Sequence, residues 1–313
     1  MTTKQNIILF VSLLLIVLVV FAFLLDRPCP TKIFTGAFLS DHPTASDIDN
    51  FRKVFGKKPY LVLVFVDWEK FVDPVVVRDV YDKGSVLFVS WEPWIALTKD
   101  GIDYQGLISG KYDDYIDKFA DSLKAVNGSV FIRFAHEPNG DWYPWSGKKI
   151  GARAYIDMYR HIKRIFDNNS VKNVRWVYSI NWEDIPAKGN SFMLYYPGDE
   201  YVDYVGIDGY NWGRTKEWSR WTEFNEIFLK RYGEVVEYTG KPVIISEFSS
   251  ASSGGSKAGW VENAFADMKK MKRVFGFVLF NVDKETDWSF SGRDRESLSL
   301  RKSLASPCFR DAL

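Results

Sequence analysis

The sequence predicts an α/β fold, a single (β/α)8 TIM barrel preceded by an N-terminal transmembrane helix. Short runs rich in Val, Ile and Phe alternate eight times with longer stretches of helical periodicity. Residues 29–313 also match the size of such a barrel, about 250 residues plus insertions. No linker, low-complexity block or charge run divides them, so we expect one domain there. An apolar run near the N-terminus predicts the helix.

The composition excludes several classes of protein. The 313 residues carry 41 Lys+Arg against 40 Asp+Glu, a net charge of +1, which leaves no basic surface for nucleic acid. Hydrophobic residues make up 46%, enough to bury a large core and exclude disorder. Aromatic residues reach 17%, more than packing of such a core needs. Motifs of metalloproteases, serine hydrolases, NTPases and dinucleotide-binding proteins are absent from the sequence.

The first element is an apolar run from Ile7 to Leu25, interrupted only by Ser12. A run of this length can span a bilayer, whereas the apolar part of a signal peptide is usually about 7–15 residues long and ends in small residues. The bulky residues 23–25 therefore favour an uncleaved anchor, with residues 1–28 forming a cytoplasmic tip and the membrane helix. The alternative is a cleaved signal peptide and a secreted protein. Both place the barrel outside the cytoplasm.

Eight strand candidates follow, each a short run rich in apolar residues. They are Ile33–Leu39, Tyr60–Val66, Ser85–Ser90, Val130–Ala135, Val174–Ser179, Tyr204–Asp208, Val243–Glu247 and Phe275–Asn281. The helix candidates between them include Tyr112–Ala125, Ala152–Asp167, Trp218–Tyr238 and Lys257–Met271.

Tryptophans cluster at the carboxyl ends of six predicted strands, where a barrel of this kind builds its active site. They are Trp68, Trp91, Trp94, Trp142, Trp145, Trp182, Trp212 and Trp288. Flat apolar rings with a polar edge suit the C–H patches and hydroxyl groups of sugars. Any single ring could instead only cover the barrel mouth, but six separate strand ends favour a carbohydrate site.

Two glutamates accompany these rings: Glu137 follows the fourth predicted strand and Glu247 ends the seventh. A carboxylate at the tip of a buried apolar run is costly unless it is paired or used, so an ion pair with a neighbouring Arg or Lys is the alternative for Glu247. Glycoside hydrolysis needs two such groups, one to protonate the leaving oxygen and one to attack the anomeric carbon or activate water. Other carboxylates near strand ends are assigned to hydroxyl binding or support, namely Glu92, Asp67, Asp208 and Asp287.

Four segments resemble glycoside hydrolase family 26, which comprises β-mannanases and relatives in a clan of retaining (β/α)8 glycosidases. They are RFAHEPNGDWYPW at 133–145, VGIDGYNW at 205–212, VIISEF at 243–248 and KETDW at 284–288. The resemblance implies that Glu137 is the general acid/base and Glu247 the nucleophile. It also implies that His136 contacts the sugar at the cleavage point, that Tyr210 hydrogen-bonds the nucleophile, and that Trp142 and Trp288 line sugar subsites. The other substrate-binding candidates are Trp91, Trp94, Trp145, Trp182, Trp212, Asn139 and Glu92.

The substrate is less defined than the reaction. WYPW at 142–145 and WEPW at 91–94 are more similar to the family's mixed-linkage β-glucanases than to its mannanases, and Phe280-Asn281 stands where many clan members have Trp. We therefore expect a monomeric, cofactor-free, retaining endo-hydrolase of β-1,4 linkages in β-mannan or mixed-linkage β-1,3-1,4-glucan. The alternatives are an exo-acting hydrolase or transglycosylase that remodels the cell's own exopolysaccharide, and a carbohydrate-binding pseudoenzyme.

The two cysteines, Cys29 and Cys308, have neither Cys-x-x-Cys nor zinc spacing, and we expect no metal site. Export permits a disulfide. Because a barrel closes its first strand beside its last helix, we expect a Cys29–Cys308 bond that joins the two ends of the domain.

Overall fold

The computed structural model describes Cys29 and residues 32–313, so the anchor predicted at Ile7–Leu25 lies outside the described residues. None of the helices within the described ranges combines the length and the apolar character that a bilayer crossing requires. Neither Cys29 nor Cys308 is a free thiol, and both are disulfide-bonded.

All eight predicted strands form. Strand β1 consists of two short segments, Ile33–Phe34 and Gly36–Phe38, and the others are β2 (Leu61–Asp67), β3 (Val86–Glu92), β4 (Val130–Phe134), β5 (Val174–Asn181), β6 (Tyr204–Asn211), β7 (Val243–Ser250) and β8 (Val274–Phe280). Every neighbouring pair is parallel, and β8 pairs with both β1 and β7, so the sheet closes. The predicted (β/α)8 barrel is therefore confirmed.

The barrel interior is a packed core rather than a pore. Alternate residues of the strands point inward, and the other face is covered by helices, so both faces are apolar. The inward cluster includes Phe34, Leu61, Leu63, Phe88, Phe131, Ile244 and Val278. Because the interior is filled, a site lies at an end of the barrel, and in barrels of this kind it is the carboxyl end of the strands.

Seven longer α-helices cover the barrel in the described part of the chain: α1 (Ala45–Phe55), α2 (Pro74–Asp82), α3 (Asp113–Lys124), α4 (Ala152–Asn168), α5 (Phe224–Tyr238), α6 (Lys257–Met268) and α7 (Arg295–Leu304). The connection from β5 to β6 has two 3-10 segments instead, Phe192–Tyr195 and Asp199–Tyr201. One crossover of the eight thus lacks its own α-helix.

The predicted start of one helix at Trp218 was wrong. Helix α5 begins at Phe224 because Glu223 caps it: the Glu223 side chain accepts from the backbone of Glu226, and the Glu226 side chain accepts from the backbone N–H of Glu223. The preceding residues 218–222 form a loop. That loop reaches the mouth of the barrel.

Candidate active site

A cleft of about 1160 Å³ crosses the barrel at the carboxyl ends of the strands. This volume exceeds the roughly 300–1,000 Å³ of a pocket for one small ligand. The cleft is lined after β2 by residues such as Phe71 and after β6 by residues such as Trp218. Because β2 and β6 stand opposite each other in the closed eight-stranded order, the cleft spans the whole mouth.

Glu247 reaches this cleft from within β7, whose apolar run Val243–Ile245 is buried between β6 and β8. The pairing register of β7 with β6 shifts between Ile245 and Glu247, which marks a bulge. Bulges re-aim side chains and are common beside active sites. The bulge accompanies the change from core residues to a carboxylate that lines the cleft.

A buried guanidinium and a partly buried phenol hold the carboxylate of Glu247. Arg133 Nη2 forms an ion pair with Glu247 Oε1, and the Tyr210 hydroxyl donates to Oε2. Arg133 Nη1 also lies 3.0 Å from Asp208 Oδ1 and is fully buried. The ion pair considered as an alternative for Glu247 is therefore present, and it occurs together with exposure to the cleft. A buried carboxylate is compatible with such an environment because the guanidinium and hydroxyl compensate its lost hydration.

Asp208 supports this arrangement from below and does not line the cleft. Its carboxylate accepts from Ser179 Oγ at 2.9 Å and from Ser246 Oγ at 2.6 Å, besides Arg133. Gly206 makes room for both hydroxyl groups, since a Cβ atom there would lie 2.5 Å from Ser246 Oγ and 2.6 Å from Ser179 Oγ.

Glu137 reaches the cleft from a tight turn after β4. Ala135 and Glu137 both have positive φ, +49° and +53°, in the left-handed region that non-glycine residues rarely adopt. Such strain persists where surrounding contacts fix it. Here the N–H of Ala135 donates to the carbonyl of Trp91 at 3.0 Å and the N–H of Glu137 donates to the carbonyl of Ser179 at 2.8 Å. The turn thereby aims the carboxyl into the cleft.

The surroundings of Glu137 favour its protonated form. Burial raises its pKa well above the usual range, and the nearby carboxylates of Asp208 and Glu247 raise it further. The indole Nε1 of Trp142 donates to Glu137 Oε2 at 2.9 Å and opposes this shift. Among the described residues, no Lys or Arg forms an ion pair with Glu137 within 4 Å.

His136, predicted to contact the sugar, is not among the residues that line the cleft. It is buried, its Nε2 lies 3.0 Å from the Tyr143 hydroxyl, and its Nδ1 lies 3.3 Å from Ser90 Oγ. Burial, together with the charges of Arg133 and Lys284, lowers the pKa of His136 well below its usual value, so the ring is neutral. The residue that lines the cleft here is Tyr143, which sequence reasoning missed.

The predicted aromatic residues divide into two groups. The cleft is lined by Trp94, Trp142, Trp182, Tyr210, Trp212 and Trp288. Trp91 is not among them, because successive residues of a strand face opposite sides. It points into the helix layer, stacked between Trp68 at 5.3 Å and Phe119 at 4.1 Å, whereas its neighbour Glu92 lines the cleft.

Two further candidates are structural. Trp145 stacks on Tyr143 with ring centroids 4.3 Å apart, and its Nε1 donates to the His136 carbonyl at 2.8 Å. Asn139 is buried and donates to the carbonyls of Asn181 at 2.9 Å and Glu183 at 3.0 Å. Both brace the loops that carry cleft residues instead of facing the cleft.

The remaining predicted carboxylates differ in position. Glu92 lines the cleft and accepts from Trp94 Nε1 at 3.0 Å, and burial raises its pKa to about 7. Asp67 lines the cleft beside Lys70, with 2.9 Å between Oδ1 and Nζ. Asp287 accepts from the backbone of Ser289 at 2.9 Å and does not line the cleft.

Sequence reasoning also missed Lys284 and Trp218. Lys284 lies in the cleft, and its Nζ is 5.1 Å from the centroid of the Phe65 ring. Trp218 also lines the cleft and is 73% exposed, with its ring centroid 5.4 Å from that of Trp212. Lys284 is the first residue of the KETDW segment, so that motif could have identified it as a cleft residue. The predicted helix start concealed Trp218, which belongs to a loop.

A closed (β/α)8 barrel whose mouth holds Glu137 and Glu247 beside a row of aromatic rings has the features of glycoside-hydrolase barrels. The particular family follows from comparison: the model of glycosyl hydrolase family 26 matches residues 92–275, more than half of the sequence. The chain belongs to this family, and the resemblance noted in the sequence is confirmed.

Two curated relatives and one solved structure illustrate the relationship. The chain is 37% identical over 278 residues to endoglucanase H of Acetivibrio thermocellus, an alignment covering 86% of this chain and 30% of that protein. It is 33% identical over 111 residues to mannan endo-1,4-β-mannosidase A and B of Caldalkalibacillus mannanilyticus, covering 32% of this chain and 21% of that protein. The catalytic domain of a family 26 endo-β-1,4-mannanase from Bacillus sp. JAMB-750 has the same fold, with a TM-score of 0.68, 17% identity and coverage of 92% and 89%. The chain thus spans less than a third of these two curated relatives.

Proposed function

We propose that this chain is a retaining, endo-acting glycoside hydrolase that cleaves β-1,4 linkages in a β-glucan or β-mannan. The observation that carries the proposal is the contrast between two carboxyl groups in one cleft. Burial and neighbouring negative charge raise the pKa of Glu137 well above its usual range, which favours the protonated form. Glu247 is held by Arg133 and Tyr210. A proton donor and an anionic nucleophile are what double displacement requires.

In the first step, Glu247 attacks the anomeric carbon while Glu137 gives its proton to the departing glycosidic oxygen. The bond to the leaving sugar breaks and an ester to Glu247 forms. In the second step, the ionised Glu137 takes a proton from water, which attacks the same carbon and releases Glu247. Both oxygens of Glu247 are held by hydrogen bonds, which fixes the direction of attack.

Endo action is supported by the course of the cleft. It passes across the whole barrel mouth, and exposed rings occur after both β2 and β6, Phe71 at 44% exposure and Trp218 at 73%. Rings on both sides can bind a chain that extends beyond the cleavage point in both directions. An exo-acting enzyme or transglycosylase is the alternative, distinguished by product length.

We propose that β-glucan is a better substrate than β-mannan. The similarity to an endoglucanase extends over 86% of this chain, whereas that to a mannan endo-1,4-β-mannosidase extends over 32%. Reducing-end release should be measured on lichenan, cellulose, mannan and xylan. Short oligosaccharides of several lengths from lichenan would support the proposal. Single-sugar release would favour exo action, and binding without release would favour a pseudoenzyme.

Stereochemistry tests the mechanism separately. NMR of the first-formed product should show the β-anomer, and the two carboxyl groups should lie about 5–5.5 Å apart. An initial α-anomer would mean inversion, for which a separation of about 6.5–9.5 Å is typical.

We also propose that residues 1–28 anchor the protein with residues 29–313 outside the cytoplasm, and that Cys29 pairs with Cys308. The apolar run at Ile7–Leu25 supports the anchor, and the disulfide-bonded state of both cysteines supports the pairing. Protease added to intact cells should release the barrel. Soluble mature protein starting near Asp26 would instead mean that the segment is a cleaved signal peptide.

A further inference from the structure

Lys257, the first residue of α6, is buried and takes no part in the proposed reaction. Its side chain is 3% exposed. The ammonium Nζ donates to the main-chain carbonyls of Trp288 at 3.0 Å and Ser289 at 2.7 Å. It also lies 4.2 Å from the centroid of the Phe290 ring. All these contacts are to the loop that follows β8.

The position is unfavourable for a cation in two respects. Within the described residues, Lys257 has no carboxylate within 4 Å, and buried charges are usually paired. It also occupies the first turn of α6, where the positive end of the helix dipole opposes a cation. Burial lowers its pKa to about 8. The acidic groups that act on it from a distance are Asp287 in the loop and Asp294 and Glu296 at the start of α7.

The loop held by Lys257 carries a wall of the cleft. The carbonyl of Trp288 accepts from Lys257 and from Ser249 Oγ, the latter at 3.2 Å. The Trp288 ring lies 4.8 Å from the rings of both Tyr210 and Trp212. Tyr210 in turn donates to Glu247. Movement of the Trp288 backbone would therefore displace a cleft ring next to the group that holds Glu247.

We propose that Lys257 is a positioning residue whose ammonium fixes the backbone of Trp288 and so places the indole as a binding surface beside Tyr210. The part of this inference that concerns sugar rests on the proposed function. Glu247 is also held by Arg133, from the opposite side of its carboxylate, so release of Trp288 weakens substrate binding more than chemistry.

Steady-state kinetics of three variants test the role. Lys257→Met keeps the stem and removes the charge, and its KM on the preferred polysaccharide should rise about tenfold while kcat changes less than about twofold, since charge-assisted hydrogen bonds are the strong ones. Lys257→Arg retains a cation that donates to both carbonyls, and its KM should return to within about threefold of wild type. Lys270→Met is the matched control, because Lys270 is 74% exposed and pairs with Asp267 at the surface. Its KM should be unchanged.

A second measurement does not depend on turnover. In wild-type protein labelled with 5-fluorotryptophan, the ¹⁹F signal of Trp288, assigned by its loss in Trp288→Phe, should shift with a midpoint near pH 8 as Lys257 loses its proton. The same titration should be absent from Lys257→Met. A Trp288 signal that titrates identically in wild type and Lys257→Met, a folded Lys257→Met with wild-type KM, or a Lys257→Arg no better than Lys257→Met would each overturn the proposal. Inactivity of the wild type on every polysaccharide would instead overturn the proposed function and leave the titration readable.

Discussion

The strand ends around Glu137 and Glu247 place the same side chain in two different environments. Glu137 stands on a strained turn with an indole N–H as its hydrogen-bond donor and negative groups nearby. Glu247 stands in a bulged strand with a guanidinium and a phenol bound to its two oxygens. The neighbours, and not the residue type, distinguish the two groups, and the proposed division of roles between them rests on that difference.

The largest effect should come from removing Glu247, because no other atom can then attack the anomeric carbon. Glu247→Ala should lose at least about 10⁴-fold in kcat on polysaccharide and equally on an aryl glycoside with a good leaving group. Added azide should give an α-glycosyl azide, detected by NMR. Substantial turnover of the activated glycoside by this variant would remove Glu247 from the nucleophile's role.

A smaller and substrate-dependent loss should follow removal of Glu137. Glu137→Ala should lose about 10²–10⁴-fold on polysaccharide, the usual contribution of general acid–base catalysis. An activated aryl glycoside does not need the proton, so a rapid burst of leaving group should precede a stalled second step. Azide, which needs no base, should restore turnover and give a β-glycosyl azide. The opposite azide stereochemistry in the two variants would exchange the two roles.

The sequence predicts the barrel because each strand is a short apolar run between longer amphipathic segments, and that pattern depends only on local composition. It also locates Glu137 and Glu247, since charged residues ending buried runs are conspicuous. The contacts that distinguish the two glutamates are harder to predict from the sequence. Arg133 lies 114 positions from Glu247 in the sequence, and only closure of the barrel brings them together.

Side-chain direction explains why several predicted site residues lie away from the cleft. Trp91 and Glu92 are neighbours at one strand end, yet only Glu92 faces the cleft, because alternation turns Trp91 toward α3. His136 is buried behind Tyr143 for a different reason. The residues after β4 form a folded loop, and how deeply each side chain of such a loop is buried has no signature in the sequence. Aromatic residues at strand ends thus predict the location of the cleft better than its individual contacts.

The contribution of the Arg133 guanidinium to stability can be tested with the variant Arg133→Met. Arg133 is fully buried and contacts both Asp208 and Glu247, so its loss leaves two buried carboxylates without their counter-ion. The free energy of unfolding should fall by about 3–5 kcal/mol, as for other buried pairs that lose one partner. Urea denaturation measures this change. Replacing Arg153, whose partner Asp157 is near the surface, by Met should cost less than about 1 kcal/mol.

The smallest expected effect concerns the indole on the Glu137 side. The hydrogen bond from Trp142 stabilises the ionised carboxylate and so lowers the pKa of Glu137. Trp142→Phe removes that donor, and the pKa of Glu137 should rise. Because the protonated form is the active acid, kcat/KM falls as pH rises through this pKa. The alkaline limb of the profile should therefore move to higher pH in the variant, by less than about one unit.

Trp182→Phe is the matched control for this shift, since Trp182 lines the same cleft without a hydrogen bond to Glu137. Its profile on a soluble oligosaccharide, whose leaving sugar needs the proton of Glu137, should keep the wild-type alkaline limb even if KM increases. A limb that moves to lower pH in Trp142→Phe, or moves equally in both variants, would show that the indole acts only as a sugar-binding surface. A shift confined to Trp142→Phe would mean that one side chain both binds the substrate and adjusts the acid that cleaves it.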